Sequence, residues 1–117
     1  MKATVSIILP TYNSARHIRC AIQSMLNQTY RDFELLVIDD GSSDDTEERV
    51  FSFKESRIRY LKRGHQGLSS ALNYGLSVAS SDIIARMDAD DVAVPRSLEF
   101  LMAKKSIAGD FGTHLAT

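Results

Sequence analysis

Apolar positions along this chain follow two alternating rhythms. Val5-Ser6-Ile7-Ile8-Leu9 is a short, β-branched run that stops at Pro10 and predicts a buried strand. Ile18, Ile22, Met25 and Leu26 then recur at i, i+4, i+7 and i+8, one face of a helix that Asn13 or Ser14 can cap. Phe33-Glu34-Leu35-Leu36-Val37-Ile38 predicts a second buried strand. Beyond a sharp turn at Gly41, Ser43 or Asp44 can cap a second helix whose first-turn acids complement its dipole. Arg57-Ile58-Arg59-Tyr60-Leu61 alternates and is more polar, as a strand nearer a sheet edge would be. Leu68, Ala71, Leu72, Gly75 and Ala79 return to helical spacing. A helix-interior glycine costs up to ~1 kcal/mol relative to alanine, which a close approach of helix to sheet would explain. A fourth strand is expected over Asp82 to Met87, and Pro95 suits the first turn of a last helix carrying Leu98, Leu101 and Met102. From Ile107 to Thr117 the pattern fades to a stub of a further strand.

Strand and helix thus alternate four times, and the strands are near-continuous apolar runs. That combination predicts an α/β fold with a mostly parallel sheet, flanking helices and right-handed crossovers. At 117 residues the chain has the length of one domain. Charged residues make up 25% and apolar ones 44%, ordinary for a globular protein. Fourteen basic and fifteen acidic side chains leave a net charge of −1, which gives no support to a nucleic-acid partner. No segment approaches a membrane span, and Cys20 alone makes no disulfide framework, so the expectation is a cytoplasmic home, free or at a membrane periphery.

In a parallel sheet the carboxyl ends of the strands share one edge, where open α/β sheets bind ligands. Three polar clusters are expected there: Thr11-Tyr12-Asn13, Asp39-Asp40-Gly41 and Asp88-Ala89-Asp90-Asp91. Two carboxylates about 4 Å apart repel by roughly 4 kcal/mol at the effective dielectric near a protein surface. The last cluster is therefore either a solvated acidic turn or the holder of a cation, and its oxygen-only chemistry favours Mg²⁺ or Mn²⁺ over Zn²⁺. No glycine-rich phosphate cradle is present, so phosphates would be held through the metal. His17 and Cys20 read as a surface histidine and a packed thiol, since no third ligand is in view.

Five stretches in register resemble the successive signatures of family-2 glycosyltransferases. They are Val5 to Asn13, Ser24-Met25-Leu26-Asn27-Gln28-Thr29-Tyr30, Val37 to Asp44, Gly67-Leu68-Ser69-Ser70-Ala71-Leu72-Asn73, and Met87-Asp88-Ala89-Asp90-Asp91 with Pro95 behind it. The resemblance implies a Rossmann-like fold of the GT-A type and a nucleotide-sugar-dependent transferase, usually inverting, of the kind that serves polysaccharide biosynthesis. It implies a nucleotide site formed by Pro10, Thr11, Tyr12, Asp39, Asp40, Asp88 and Ala89. Within it, Asp40 reads the uracil edge and Asp39 supports that turn or the ribose. Asp88 and Asp90 match the DxD motif and would hold a divalent cation, Mn or Mg, with Asp90 the more direct ligand. The donor expected is a UDP-sugar and the acceptor a saccharide or a lipid-linked molecule.

His65 stands where an asparagine is common in that family, a departure at the sugar side. Inversion needs a general base, and the family's lies well downstream of its DxD. Only Glu99 and Asp110 follow here, neither in a matching context, so the base is expected beyond Thr117. Residues 1–105 are accordingly expected to be the donor-binding domain of a longer enzyme or a truncated product, and 106–117 a poorly matching stub with the acceptor domain absent. Two other classes compete. Asp88-Ala89-Asp90-Asp91-Val92 also fits the DxDx[TV] motif of haloacid-dehalogenase-like phosphatases, but stands on the fourth strand instead of the first. A non-catalytic nucleotide-binding module would share every donor-side feature.

Overall fold

The computed structural model describes residues 3–103. The stub expected over 106–117, and Asp110 with it, lie outside the described residues. Four strands, β1 (Val5–Thr11), β2 (Phe33–Asp39), β3 (Ile58–Lys62) and β4 (Ile83–Arg86), alternate with α1 (Ile18–Leu26), α2 (Thr46–Phe51), α3 (Leu68–Val78) and α4 (Ser97–Ala103). The sheet runs β3-β2-β1-β4 and every neighbouring pair is parallel. The chain winds outward through β1, β2 and β3, then returns past β1 to lay down β4. The boundary between β1 and β4 is thus the point where strand order reverses, the place where such sheets open a ligand crevice.

The strands of the interior are apolar on both faces because both faces are covered. Val5, Ile7, Leu9, Leu35 and Val37 pack with Ile18, Ala21, Ile22 and Met25 of α1, Val50 of α2, and Leu98, Leu101 and Met102 of α4. Ile8, Leu36 and Ile38 face the other way, onto Ala71 and Leu72 of α3. Each such aliphatic side chain contributes roughly 1.5–3 kcal/mol by leaving water. The outward crossovers lie on one face and the returning one on the other, as right-handed connections require. Gly75 lets α3 approach closely: a Cβ there would sit 2.7 Å from Ile8 Cγ2. Among the described residues, no helix is long and apolar enough to cross a membrane.

Several expected boundaries move. β1 does not stop at Pro10 but continues to Thr11, with Pro10 opposite Ile38. Alternate residues of a strand address opposite neighbours. The Ile8 carbonyl accepts from Met87 N–H on the β4 side and the Thr11 carbonyl accepts from Asp40 N–H on the β2 side. Pro10 therefore turns its donorless nitrogen toward β4, which has already ended at Arg86. Neither Asn13 nor Ser14 caps α1 with a side chain; His17 is the N-cap and makes no such bond. Asp44 does supply capping chemistry to α2, its Oδ1 accepting from Thr46 N–H at 3.0 Å, although Asp45 is the N-cap. Leu68 falls on the exposed side of α3, and Pro95 precedes α4 in a turn instead of lying within it. β3 is an edge strand as expected; β4 forms the other edge among the described residues.

Candidate functional site

Asp39 and Asp40 are adjacent, so they point to opposite sides and do different work. Asp39 has no exposed surface. One of its oxygens accepts from Ser42 N–H at 2.9 Å, and the other accepts from the Tyr60 hydroxyl. Burial first, and then the Asp39 carboxylate, push the Tyr60 hydroxyl well above its ordinary pKa, so it stays protonated and donates. Asp39 therefore holds the turn, one of the two roles expected of it. Asp40 is 4% exposed and turned toward the loop before α3. Its Oδ1 accepts from Gln66 N–H at 3.0 Å and its Oδ2 from Gly67 N–H at 2.9 Å. His65 Nδ1 lies 3.0 Å from the same Oδ2 and 3.1 Å from the Asp40 carbonyl oxygen. Burial alone would raise the Asp40 pKa; the two backbone donors, with His65 and Arg63 nearby, outweigh it and hold the carboxyl below its ordinary range. Gly41 makes this packing possible. Its φ is +89°, and a Cβ would lie 2.8 Å from His65 N.

The loop after β1 is stitched to the loop after β2. Asn13 adopts φ 47°, a left-handed conformation that asparagine tolerates. Its N–H donates to Ser42 Oγ and its Oδ1 accepts from Ser43 N–H, both at 2.8 Å. Ser14 N–H donates to Thr46 Oγ1 at 2.9 Å, and Ala15 N–H to Asp44 Oδ2 at 3.2 Å. Those bonds fix the backbone from which Tyr12 projects. The Tyr12 ring lies against His65, centroids 4.2 Å apart at an interplanar angle of 32°. Thr11 is buried, and its Oγ1 has no hydrogen-bond partner, alone in this among the buried side-chain polar atoms of the described residues.

The third cluster follows β4. A tight turn is closed by Asp91 N–H donating to the Asp88 carbonyl at 3.0 Å and by Asp88 N–H donating to the Asp91 carboxylate at 3.2 Å. Carboxylate oxygens of Asp88, Asp90 and Asp91 all lie within 4.8 Å of one another. Arg86 reaches Asp88 at 3.3 Å from the strand side. Three hard oxygen donors at this spacing, open to solvent at Asp88 and Asp90, fit Mg²⁺ or Mn²⁺ with positions left for phosphate and water. Ala89 does not face this site; its methyl is buried in the core. The segment beyond is anchored by Gln28, whose Nε2 donates to the Val94 carbonyl at 2.6 Å and whose Oε1 accepts from Leu98 N–H at 2.8 Å. Ser24 Oγ accepts from Ala93 N–H at 2.9 Å.

Pro10, Thr11, Tyr12, Asp40 and Asp88 line one crevice of about 250 Å³ with His65, Gly67, Leu68 and Ala71. Of the expected nucleotide residues, Asp39 and Ala89 are not among its lining. Sequence reasoning gives His65 no partner and assigns Tyr60 and Gln28 no supporting role. A signal existed for Gln28, a polar side chain closing the buried face of α1; none marks the Tyr60–Asp39 bond. Glu99, one of the two acids after the motif, is engaged by Thr29 Oγ1 at 2.5 Å and by Arg96 at 3.2 Å. Those hydrogen bonds hold its carboxyl below the ordinary range.

Comparison with known proteins gives this geometry a context. The model of glycosyl transferase family 2 matches residues 6–106. The chain is 41% identical over 114 residues to the Escherichia coli enzyme named UDP-Glc:alpha-D-GlcNAc-diphosphoundecaprenol beta-1,3-glucosyltransferase WfgD, covering 94% of this chain and 45% of that one. Among solved structures it superposes on residues 1–349 of S. aureus TarS in complex with UDP-GlcNAc with a TM-score of 0.83 at 26% identity, covering 89% of this chain and 31% of that one. It likewise matches the mannosyltransferase PcManGT from Pyrobaculum calidifontis in complex with GDP-Man and Mn²⁺, at a TM-score of 0.74 and 26% identity over 86% of this chain and 33% of that one. The chain thus spans less than half the length of each of these relatives.

Proposed function

The chain belongs to glycosyl transferase family 2, and we propose that its crevice binds a nucleotide-sugar donor, a UDP-sugar by preference, for transfer of the sugar to an acceptor hydroxyl. The observation that carries this reading is the convergence of Thr11, Tyr12, Asp40 and Asp88, from three different strand ends, on one crevice at the point where strand order reverses. Tyr12 offers an aromatic face to a base, and Asp40 an ionised acceptor to an imide N–H. The Thr11 hydroxyl, buried without a partner, is a second polar group for which a ligand would supply the missing bond. Asp39 acts one step back, through the turn that presents Asp40.

Asp88 and Asp90 would hold a divalent cation, Mn²⁺ or Mg²⁺, with Asp91 sharing the cluster. When bound, such an ion offsets the charge that accumulates on a diphosphate leaving group. Asp88 belongs both to the acidic cluster and to the crevice lining, so it links the metal end of the site to the nucleotide end. The WfgD relative is named for a UDP-glucose donor and a lipid-linked acceptor, which supports a UDP-sugar and a lipid-linked or saccharide acceptor here. Inversion at the anomeric carbon is the mechanism proposed. The matched family model weighs against the phosphatase reading, as does the position of the acidic motif after β4, behind three earlier strands.

Calorimetric titration with UDP and UDP-glucose, with Mn²⁺ and with EDTA, tests the reading. Saturable UDP binding that Mn²⁺ strengthens is expected, and no UDP binding under either condition would end the proposal. Turnover of labelled UDP-sugars then separates an enzyme from a binding module.

A further inference from the structure

We infer that Arg86 binds the diphosphate of the donor, from the flank of the site where Asp88 joins the crevice. The inference rests on the reading of that crevice as a nucleotide-sugar site.

Strand alternation puts Arg86 on the side this role requires. Along β4, Ile83 and Ala85, with Met87 after them, pack into the core beneath α1 and α4, whereas Ile84 packs with the α3 cluster. Arg86 shares the parity of Ile84, so it leaves the strand on the α3 side, at its carboxyl end and paired with Ile8. Leu68 and Ala71 of α3 line the crevice, and so does Asp88. Arg86 Nη2 donates to Asp88 Oδ1 at 3.3 Å, and Asp88 also contributes an oxygen to the acidic cluster. The guanidinium therefore stands at the junction of crevice and cluster.

Asp88 does not exhaust this side chain. A guanidinium presents five N–H donors in a planar fork, and the contact uses one of them, at slightly more than the usual hydrogen-bond length. The two side chains are 41% and 51% exposed, and an ion pair so open to water contributes little stability. The fold thus gains little from Arg86, and most of its fork is left for a ligand.

Charge balance says which ligand. Asp40 and Asp88 line the crevice, and Asp90 and Asp91 adjoin it. A divalent cation on Asp88 and Asp90 has its charge matched by theirs, which leaves little net attraction for a diphosphate. Arg63, close to Asp40, is already engaged: it donates to the Ser70 carbonyl and to Gln66 Oε1, both at 2.7 Å, and lies over the Tyr74 ring. Arg86 supplies the positive charge that remains to be matched, and its fork fits two phosphate oxygens as an ammonium cannot.

The test uses Arg86→Met, which keeps the aliphatic stem, and Arg86→Lys, which keeps the charge without the fork. Three affinities are compared with those of the unaltered chain: UDP in saturating Mn²⁺ by calorimetry, uridine by NMR titration, and Mn²⁺ alone by electron paramagnetic resonance. Arg86→Met should bind UDP about ten- to a hundredfold more weakly, the worth of a lost hydrogen bond to a charged group. Its affinities for uridine and for Mn²⁺ alone, and its melting temperature, should change little. Arg86→Lys should recover part of the loss. Unchanged UDP affinity in Arg86→Met overturns the inference and leaves the reading of the crevice in place. An equal loss of Mn²⁺ affinity would make Arg86 only an orienting partner of Asp88, and an equal loss of uridine affinity would make the defect one of shape; either overturns it too. An unaltered chain that binds no UDP overturns the inference together with that reading.

Discussion

Gly75 and Ile8 meet where α3 crosses the sheet: a Cβ on Gly75 would stand 2.7 Å from Ile8 Cγ2 and 3.1 Å from both Cγ1 and Cδ1. Ile8 is almost fully buried on the middle strand, so it has little room to yield. Gly75→Ala gains up to ~1 kcal/mol of helix propensity but overpacks the boundary, which typically costs about 1–3 kcal/mol. A net loss of about 1 kcal/mol is expected, read as a lower urea midpoint at unchanged slope. A gain in stability would mean that α3 can slide on the sheet.

This contact was legible in the sequence, because a glycine inside an otherwise regular helical stripe calls for a close neighbour. The strands were legible for a related reason: a parallel sheet covered on both faces leaves near-continuous apolar runs. The ends of elements were harder to read. Pro10 looks like a stop until the pairing shows that its nitrogen faces the side that β4 has left. The acidic clusters could be placed at the sheet's carboxyl edge, and the structure brings Asp40 and Asp88 to one crevice. What distinguishes Asp39 from Asp40 is the partner each meets, and those partners come from β3 and the loop after it. No local pattern announces that Tyr60 will bond Asp39 or that His65 will lie on Tyr12.

Acid should weaken the fold through Glu34. This side chain is buried at the amino end of β2, where it accepts from Ser6 Oγ, from Ser80 N–H at 2.7 Å, from Ser80 Oγ at 2.8 Å and from Arg59 at 3.2 Å. Burial pushes its pKa up, but these donors outweigh burial and hold it below the ordinary 4.5. A depressed carboxylate pKa means that the folded state releases the proton more readily than the unfolded chain. Its stabilisation is therefore complete above the unfolded pKa and lost as pH falls through the lower, folded one. Glu34→Gln should be less stable than the unaltered chain near neutral pH, by about 1–3 kcal/mol. The gap should close as pH drops below about 4. Urea midpoints across that range decide it; a gap independent of pH would assign the loss to shape instead of charge.

Asp40 and Asp90 should fail in different ways. Asp40→Ala strips the acceptor from Gln66 and Gly67 N–H, so it should cost about 1–3 kcal/mol of stability and weaken UDP binding with or without metal. Asp90 is exposed on the turn after β4. Asp90→Ala should leave stability within about 0.5 kcal/mol and remove only the increment in UDP affinity that Mn²⁺ provides. Calorimetry on both variants reads this division of labour. Loss of the same component in both would show that it is wrongly drawn.

Metal and nucleotide should bind cooperatively. Carboxylate oxygens of Asp88, Asp90 and Asp91 share a space 4.8 Å across, yet Asp91 also accepts from Asp88 N–H and Asp88 also meets Arg86. The cluster therefore offers a cation fewer free oxygens than its three carboxylates suggest, and a diphosphate would supply the rest. Each ligand then completes the other's site, and by linkage the gain is mutual. A ligand at a hundred times its dissociation constant stabilises a fold by about 2.7 kcal/mol, which for a domain of this size raises the melting temperature by about 4–8 °C per kcal/mol at the lower end of such gains. UDP with Mn²⁺ should shift melting by more than the sum of the separate shifts, and Asp90→Ala should reduce the joint shift to that sum. Strict additivity in the unaltered chain would place metal and diphosphate at independent sites and detach the acidic turn from the crevice.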